Sequence, residues 1–561
     1  MPKDTDVLRQ GSDLQAGQTT AVRMLAPHAS DTFRLVVDSA MLVYGNANQI
    51  SLDAVVDVFD PAGKKIRNFD SPSRGPELYS FITSKQGVYK LVVSPFEDQT
   101  GEYTVTVSGV EPVGTTAEAV ADQFVKAALG TDHPDGPGAT VAVWKDGKIT
   151  FSKGYGYADL ESQRKNTPAT IFHVASVSKQ FTAFAIAMLA DQGKLSLSDD
   201  IRKYLPEIHD FGYPITINHL VHHTSGLRDQ WNLLMMAGWR LDDVITMDQI
   251  MRLISKQREL NFKPGDEHLY CNTGFTLMAE IVKRVTGQTL AQWSQANVFE
   301  PLEMRNTLFY DDHEKVVLNR AYSYRRGSQS SEYKKSVLSY ANAGATSLFT
   351  TVEDISKWAM NFETMKVGNA NVMALMQQRF VLNRGDTIRY ALGQVIDKYK
   401  GVPTAGHGGA DAGYRTYLLR FPEQHLGIAV FSNLGQFDPG SMTYAMADVL
   451  LADQFEPEKP GAPPLPEPEK KPFDPKTVVL ADFTGRYYSD ELETRYTFDI
   501  RNDTLTSHHQ RHNDFKLQAT AADTFSMEFL GTLAFTRDAK GKVNGFKASN
   551  GRVRNLVFRK E

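Results

Sequence analysis

Residues 173–183 read HVASVSKQFTA, and an apolar run, FTAFAIAMLADQGKL, leads on from Phe181. Phe181, Phe184, Ala185, Met188 and Leu189 follow the i, i+3, i+4, i+7, i+8 spacing of one helix face. The stretch predicts a core helix with Ser176 just ahead of it and Lys179 one turn on. An ammonium beside buried apolar surface is costly unless it serves a purpose. This place offers one. The free N–H groups and the dipole of a helix N-terminus favour negative charge developing near a serine oxygen. Lys179 would face the same side, and desolvation would lower its pKa toward that of a usable base. The bland alternative is a capping serine and a snorkelling lysine. Ser162/Lys165 and Ser331/Lys334 repeat the spacing, but in polar stretches with no apolar helix face behind them. They read as chance.

Two further stretches belong with the first. YCNTGF carries Tyr270 and Asn272 and opens a second apolar helix, GFTLMAEIVKRV. A helix end can hold a tyrosine rigidly. A phenol close to an ammonium should be pushed toward phenolate, so Tyr270 is a candidate proton carrier. Tyr44/Asn46 and Tyr340/Asn342 share its spacing. The first precedes the serine among strands; the second, in SYANAGATSLF, is the real competitor. GHGGADAGYRTYLLRFPE brings His407, Gly408 and Gly409. Small residues here permit close backbone approach, as for an edge strand lining a substrate's acyl group. His425 and Gly427 form a decoy in the next strand region.

The chain around these stretches has 561 residues, too many for one core, so about three domains are expected. Residues 1–112 read as an all-β sandwich. GVYKLVV (87–93) and GEYTVTV (101–107) are near copies; Tyr89, Leu91 and Val93 share one face of their strand, as Tyr103, Val105 and Val107 do of theirs. Asp60-Pro61-Ala62-Gly63 is a turn signal. Residues 119–454 mix helix and strand periods and predict one α+β domain, with a hairpin turn at Asp146-Gly147. Residues 455–476 are a proline-rich linker. Short strands separated by turn residues return over 477–561 and predict a small antiparallel barrel.

Composition excludes several functions. The net charge of −5 does not suggest nucleic acid or an acidic membrane surface as a partner. No apolar stretch is long enough to span a membrane. Cys271 is the single cysteine, so no intrachain disulfide forms. The N-terminus lacks a signal-peptide core. The chain reads as a mature periplasmic or secreted protein without its leader, or as a cytoplasmic one.

The order Ser-x-x-Lys, Tyr-x-Asn, His-x-Gly resembles the class C β-lactamase and DD-peptidase superfamily of penicillin-recognising serine hydrolases. HLVHHTSGL (219–227), PLEMRNTLF (301–309), LFTTVEDISKW (348–358) and LGIAVFSN (426–433) look like its characteristic segments. The resemblance covers residues 119–450. It implies the antiparallel sheet and helices of the β-lactamase and penicillin-binding-protein transpeptidase fold. The N-terminal strands resemble the pre-peptidase C-terminal domain, and the C-terminal ones the lipocalin-like domain of some D-aminopeptidase relatives. Carried over by position, Ser176 is the nucleophile, and Lys179 and Tyr270 handle its proton, with the resting base left open. Asn272 binds the substrate's amide, and His407 and Gly409 line the substrate. The N–H groups of Ser176 and Ala410 form the oxyanion hole. Cys271 stands where serine is common and receives no role.

His407 replaces the lysine that gives β-lactamases a permanent charge for a carboxylate, which weakens the β-lactam reading. The resemblance then implies a hydrolase of peptide or amide bonds in small peptides, D-amino-acid-containing ones among them. A carboxylesterase or β-lactamase is the alternative on the same fold. An inactive homologue that binds peptide or glycan is the alternative of another class. No metal or cofactor is expected. His219, His222 and His223 read as a loop, His508, His509 and His512 as a polar strand or loop, and Thr351 with Asp354 as a helix cap.

Overall fold

The computed structural model describes residues 8–70, 75–96, 99–129, 135–327, 332–456 and 473–561. Most of the proline-rich linker, residues 457–472, and Ser331 therefore lie outside the described residues.

Alternation decides the N-terminal part. Tyr89, Leu91 and Val93 are fully buried, as are Tyr103, Val105 and Val107. The two near-copy strands face one core from opposite sheets. Gly87–Pro95 sits in a five-stranded sheet between Ser30–Val37 and Ala54–Phe59. Gly101–Pro112 sits in a four-stranded sheet between Arg23–Leu25 and Met41–Gln49. The sheets pack as a sandwich around Phe33, Val56, Leu91 and Val105.

The central part is built on a six-stranded antiparallel sheet. Its order is Lys148–Tyr155, Ala139–Lys145, Leu426–Ser432, Tyr414–Phe421, Val402–Asp411, Val395–Tyr399. The first hairpin turns through Asp146 and Gly147, both with positive φ, at 50° and 75°. That matches the twist a two-residue hairpin needs. The Leu426–Ser432 strand is buried on both faces along its whole length, which is why LGIAVFS reads as a continuous apolar run. On one face lie the helices Ala117–Leu129 and Pro439–Leu450. On the other lie Lys179–Asp191, Asn272–Thr286 and Val352–Thr364. Among the described residues, no helix is long and apolar enough to cross a membrane.

The C-terminal part is a nine-stranded antiparallel sheet curled into a nearly closed barrel. Its two end strands, Phe515–Lys516 and Gln518–Ala521, are separated in sequence only by Leu517. Tyr487, Phe498, Phe535 and Phe546 fill the inside with ring contacts of 5.0–6.2 Å. The barrel does not stand apart. Its apolar core runs without a break into that of the α+β part.

The join is polar at its edges. Arg228, whose side chain is fully buried, donates to the carbonyls of Arg554 and Asn555 and to Glu491 Oε2 at 2.8 Å. Tyr496 Oη donates to Met236 O at 3.0 Å. The stretch 229–243 contains the helix Gln230–Met236, and its far end is the surface on which the barrel docks. The signal for this was hidden because its partners lie some 250 to 330 positions away in the chain.

Candidate active site

The chain approaches Ser176 through a strained turn. Ala175 has φ of 48°, left-handed for a residue with a Cβ. Ser178 holds that turn, donating its hydroxyl to Ala175 O at 2.5 Å and accepting from Leu348 N at 3.0 Å. A 3-10 turn covers Ala175–Ser178, and the α-helix begins only at Lys179. Ser176 therefore stands just ahead of the core helix, as the sequence placed it, on a short turn of its own. Between Thr170 and Ala187 it is the one residue that is not buried.

The Val402–Asp411 strand closes against this turn. A Cβ at Gly409 would lie 2.4 Å from Val174 O and 2.3 Å from Thr416 Oγ1. Only glycine lets the strand come this close. Ala410 follows on the exposed end of the strand, beside the turn that carries Ser176. Gly409→Ala is expected to push the strand off the turn. It should cost about 1–3 kcal/mol of stability and lower kcat about tenfold or more as the geometry loosens. Thermal unfolding and steady-state kinetics on one variant check both.

Lys179 is the buried amine of the site, with no solvent-exposed surface. Its Nζ lies 3.2 Å from Ser176 Oγ, 2.8 Å from Asn272 Oδ1 and 2.6 Å from Ala345 O. Burial lowers its pKa to about 7, against the pull of Asp229 and Asp411 and with help from Arg552. The three neighbours suit a neutral amine. Two N–H bonds go to Asn272 and Ala345, and the lone pair is left for the Ser176 hydroxyl to donate into. Activity that uses this base should rise as Lys179 loses its proton. The expected kcat/KM profile falls tenfold per unit below pH about 7 and is level just above it. An ascending limb centred near pH 10 would show that the lysine works as a cation.

Tyr270 stands beside the same amine, with Lys179 Nζ 4.9 Å from its ring centroid. The residue is half-buried, and its hydroxyl is shielded from solvent without a hydrogen-bond partner among the described residues. Burial pushes its pKa up; the nearby Ser176 hydroxyl and Arg552 pull only weakly the other way. The expectation of a phenolate is thereby corrected. Desolvation outweighs the neighbouring positive charge, and Tyr270 rests as a neutral phenol. Of the two candidates for resting base, the geometry favours Lys179.

Asn272, at the start of its helix, is turned inward. Oδ1 accepts from Lys179, and Nδ2 donates to Asp229 Oδ2 at 2.9 Å, leaving one N–H for a substrate. His407 is buried and neutral, its pKa lowered to about 4 by burial and by Lys179. The hydrogen bonds fix its tautomer: Nδ1–H donates to Gly408 O at 2.5 Å, and Nε2 accepts from Tyr390 Oη at 3.0 Å.

Four residues of the site escaped the sequence reading. Asp229, fully buried, accepts from Asn272 N at 2.7 Å and from Trp231 N at 3.0 Å, and so anchors the asparagine that holds Lys179. His223 packs its ring 4.2 Å from that of Tyr270 and accepts from Cys271 N at 3.0 Å. Tyr390 orients His407. Arg552, from the barrel, lies with Cζ 5.0 Å from the Tyr270 ring centroid. Asp229 and His223 were in view in HLVHHTSGL and the residues after it; the other two carry no local signal.

The competitors lie elsewhere or do other things. Tyr340 donates to Asp411 and packs on Trp231. Asp411 also accepts from Thr346 Oγ1 at 2.7 Å. Ser162 donates to Asp159 on the surface. His425 pairs with Glu363. Cys271 is buried, its thiol pushed up to about 12. Thr351 caps its helix by accepting from Asp354 N. His222 bridges two backbone carbonyls, and His508 bridges Asp499 and Asp514. Among the described residues, no group of three or more His, Cys, Asp or Glu side chains is placed to hold a metal.

Comparison with known proteins fits this geometry. A D-aminopeptidase of Gluconobacter oxydans (strain 621H) is 28% identical over 58% of the chain. The match spans 61% of that relative's own length. An octameric penicillin-binding protein homologue from Pyrococcus abyssi superposes with a TM-score of 0.53 at 22% identity, covering 79% of this chain and 99% of that one. A D-amino acid amidase from Ochrobactrum anthropi SV3, complexed with D-phenylalanine, gives 0.51 at 19% identity, over 60% of this chain and 99% of that one. At such identities the structures speak for the fold, and they agree with the α+β architecture expected for the centre of the chain. Residues 120–451, which hold Ser176, Lys179, Tyr270, Asn272 and His407, match the Beta-lactamase family along their whole length, and the chain belongs to it.

Proposed function

We propose that the protein is a serine hydrolase that cleaves amide bonds of small peptides or amino-acid amides through an acyl-enzyme on Ser176. One observation carries the reading: Ser176, alone reaching the surface in a buried run, has an amine of depressed pKa 3.2 Å from its hydroxyl. The likeness to a D-aminopeptidase supports amides, including those of D-amino acids, as the substrate class.

Ser176 Oγ bonds to the carbonyl carbon while its proton passes to Lys179 Nζ. The carbonyl electron pair moves to oxygen, where the N–H groups of Ser176 and Ala410 receive it. The C–N bond then breaks, and the departing amine takes up a proton delivered through Tyr270. A neutral phenol with a raised pKa suits such a relay better than it suits a resting base. Water then attacks the ester by the same route, freeing the acid and restoring Ser176. Neutral His407 offers no fixed charge to a β-lactam carboxylate, which ranks amides ahead of β-lactams.

A fluorophosphonate probe followed by peptide mass analysis tests the acyl-enzyme. The expected result is an adduct on the peptide containing Ser176. An unmodified Ser176 overturns the reading and leaves a binding homologue in its place. A panel of D- and L-aminoacyl amides, p-nitrophenyl esters and nitrocefin tests the substrate class. Turnover of esters alone would reassign the protein as an esterase.

A further inference from the structure

The turn Asn550–Val553 between the last two barrel strands reaches into the site. Gly551 takes φ of 53° there, and Asn550 O accepts from Asn232 Nδ2 at 3.3 Å. Arg552 is fixed by its backbone: its carbonyl accepts from Asn261 Nδ2 at 2.8 Å and from Asp229 N at 3.2 Å. Its side chain is 41% exposed and spans from the Tyr270 ring toward Asp229, with Nη1 3.8 Å from Asp229 Oδ2. That distance is an ion pair without a hydrogen bond. Asp229 is already supplied with N–H donors from Asn272 and Trp231. Among the described residues, the guanidinium has a ring face and a charge beside it but no hydrogen-bond acceptor.

We propose that Arg552 is a specificity residue lent by the barrel, which binds a carboxylate of the substrate next to the scissile amide. Five N–H donors in a rigid fork match a carboxylate in two-point geometry. The arginine is tethered, open to solvent on one side, and stands against the tyrosine that covers Lys179. It supplies the positive charge that position 407 withholds. The substrate class follows: peptides or N-acyl amino acids with a free carboxylate, in preference to substrates with a free ammonium at that place. This rests on the acyl-enzyme reading for its catalytic meaning, although the binding it asserts can be measured without turnover.

The test uses the full chain. Ser176→Ala, with and without Arg552→Gln, is titrated by calorimetry with N-acetyl-D-alanine and with N-acetyl-D-alaninamide. The carboxylate is expected to bind roughly 10- to 100-fold tighter than the amide, and Arg552→Gln should abolish the difference. Arg552→Lys should recover part of it, since it keeps the charge and loses the fork. In parallel, kcat/KM is measured on dipeptides ending in carboxylate or carboxamide, for the wild type and for Arg552→Gln with Ser176 intact. The carboxylate substrate should lose roughly 10- to 100-fold more than the carboxamide, which feels only the arginine's influence on Lys179 and Tyr270. Equal affinity for both ligands, a preference that survives Arg552→Gln, or an equal loss on both substrates overturns the proposal. A tighter grip on D-alaninamide, which carries an ammonium, overturns it as well. Failure of Ser176 to take a fluorophosphonate would instead sink the acyl-enzyme reading, and the calorimetric preference would stand by itself.

Discussion

Ser176→Ala is expected to lower kcat/KM on the best amide substrate by roughly 10³- to 10⁶-fold while the protein stays folded. The size follows from the route. Without the hydroxyl no acyl-enzyme forms, and only binding and the oxyanion donors remain to help water attack directly. The fold should tolerate the change because Ser176 already reaches solvent and the substitution removes a single oxygen. The left-handed turn beneath it is held by Ser178, not by Ser176. The check is kcat/KM together with the melting temperature. A variant that keeps more than about a thousandth of the activity would show that the nucleophile lies elsewhere. A collapse in melting temperature would mean that Ser176 also builds the turn.

Lys179→Met should cost roughly 10²- to 10⁴-fold in kcat, the range of a positioned general base. Tyr270→Phe should fall in a similar range, and the double variant should be little worse than either, because both serve one proton path. Losses that multiply would mean two independent roles. Lys179→Met has a second signature, in stability. Native Lys179 gives up its proton near pH 7, whereas the unfolded chain keeps it to about 10.5. Between those values the unfolded state binds more protons. Wild-type stability should therefore rise with pH there, by about 1.4 kcal/mol per unit from this one group. Lys179→Met should lack that component. Denaturant titrations of both proteins at three pH values between 7 and 10 measure it. Parallel curves would show that Lys179 is not desolvated as its surroundings suggest.

What could be read from the sequence was what is local. Ser176 and Lys179 meet because one turn of chain joins them. Tyr270 and Asn272 are placed by the start of one helix. Gly409 could be chosen because a missing side chain announces close approach. Strand alternation gave the sandwich core, as the buried Tyr89–Leu91–Val93 and Tyr103–Val105–Val107 sets demonstrate. It did not tell that these strands belong to opposite sheets, since both faces of one core share the same pattern. Tyr390 and Arg552 stayed hidden, and Asp229 went unassigned, because their importance comes from partners 17 to about 280 positions away in the chain. The protonation of Tyr270 was misjudged for a physical reason. A nearby ammonium is visible in a motif, but the depth of burial that outweighs it is not.

The continuous apolar core beneath the barrel, with Arg228 fastened across it, changes what a domain means in this chain. The barrel and the α+β part are separate in sequence and distinct in architecture, yet their apolar cores are continuous and Arg228 is tied to both. A shared core predicts one cooperative transition, in which heat or denaturant that loosens one part loosens the other. The barrel is thus no interchangeable accessory. Exchanging it for a different barrel would replace the site's Arg552 and the carbonyl footing of Arg228 in a single step.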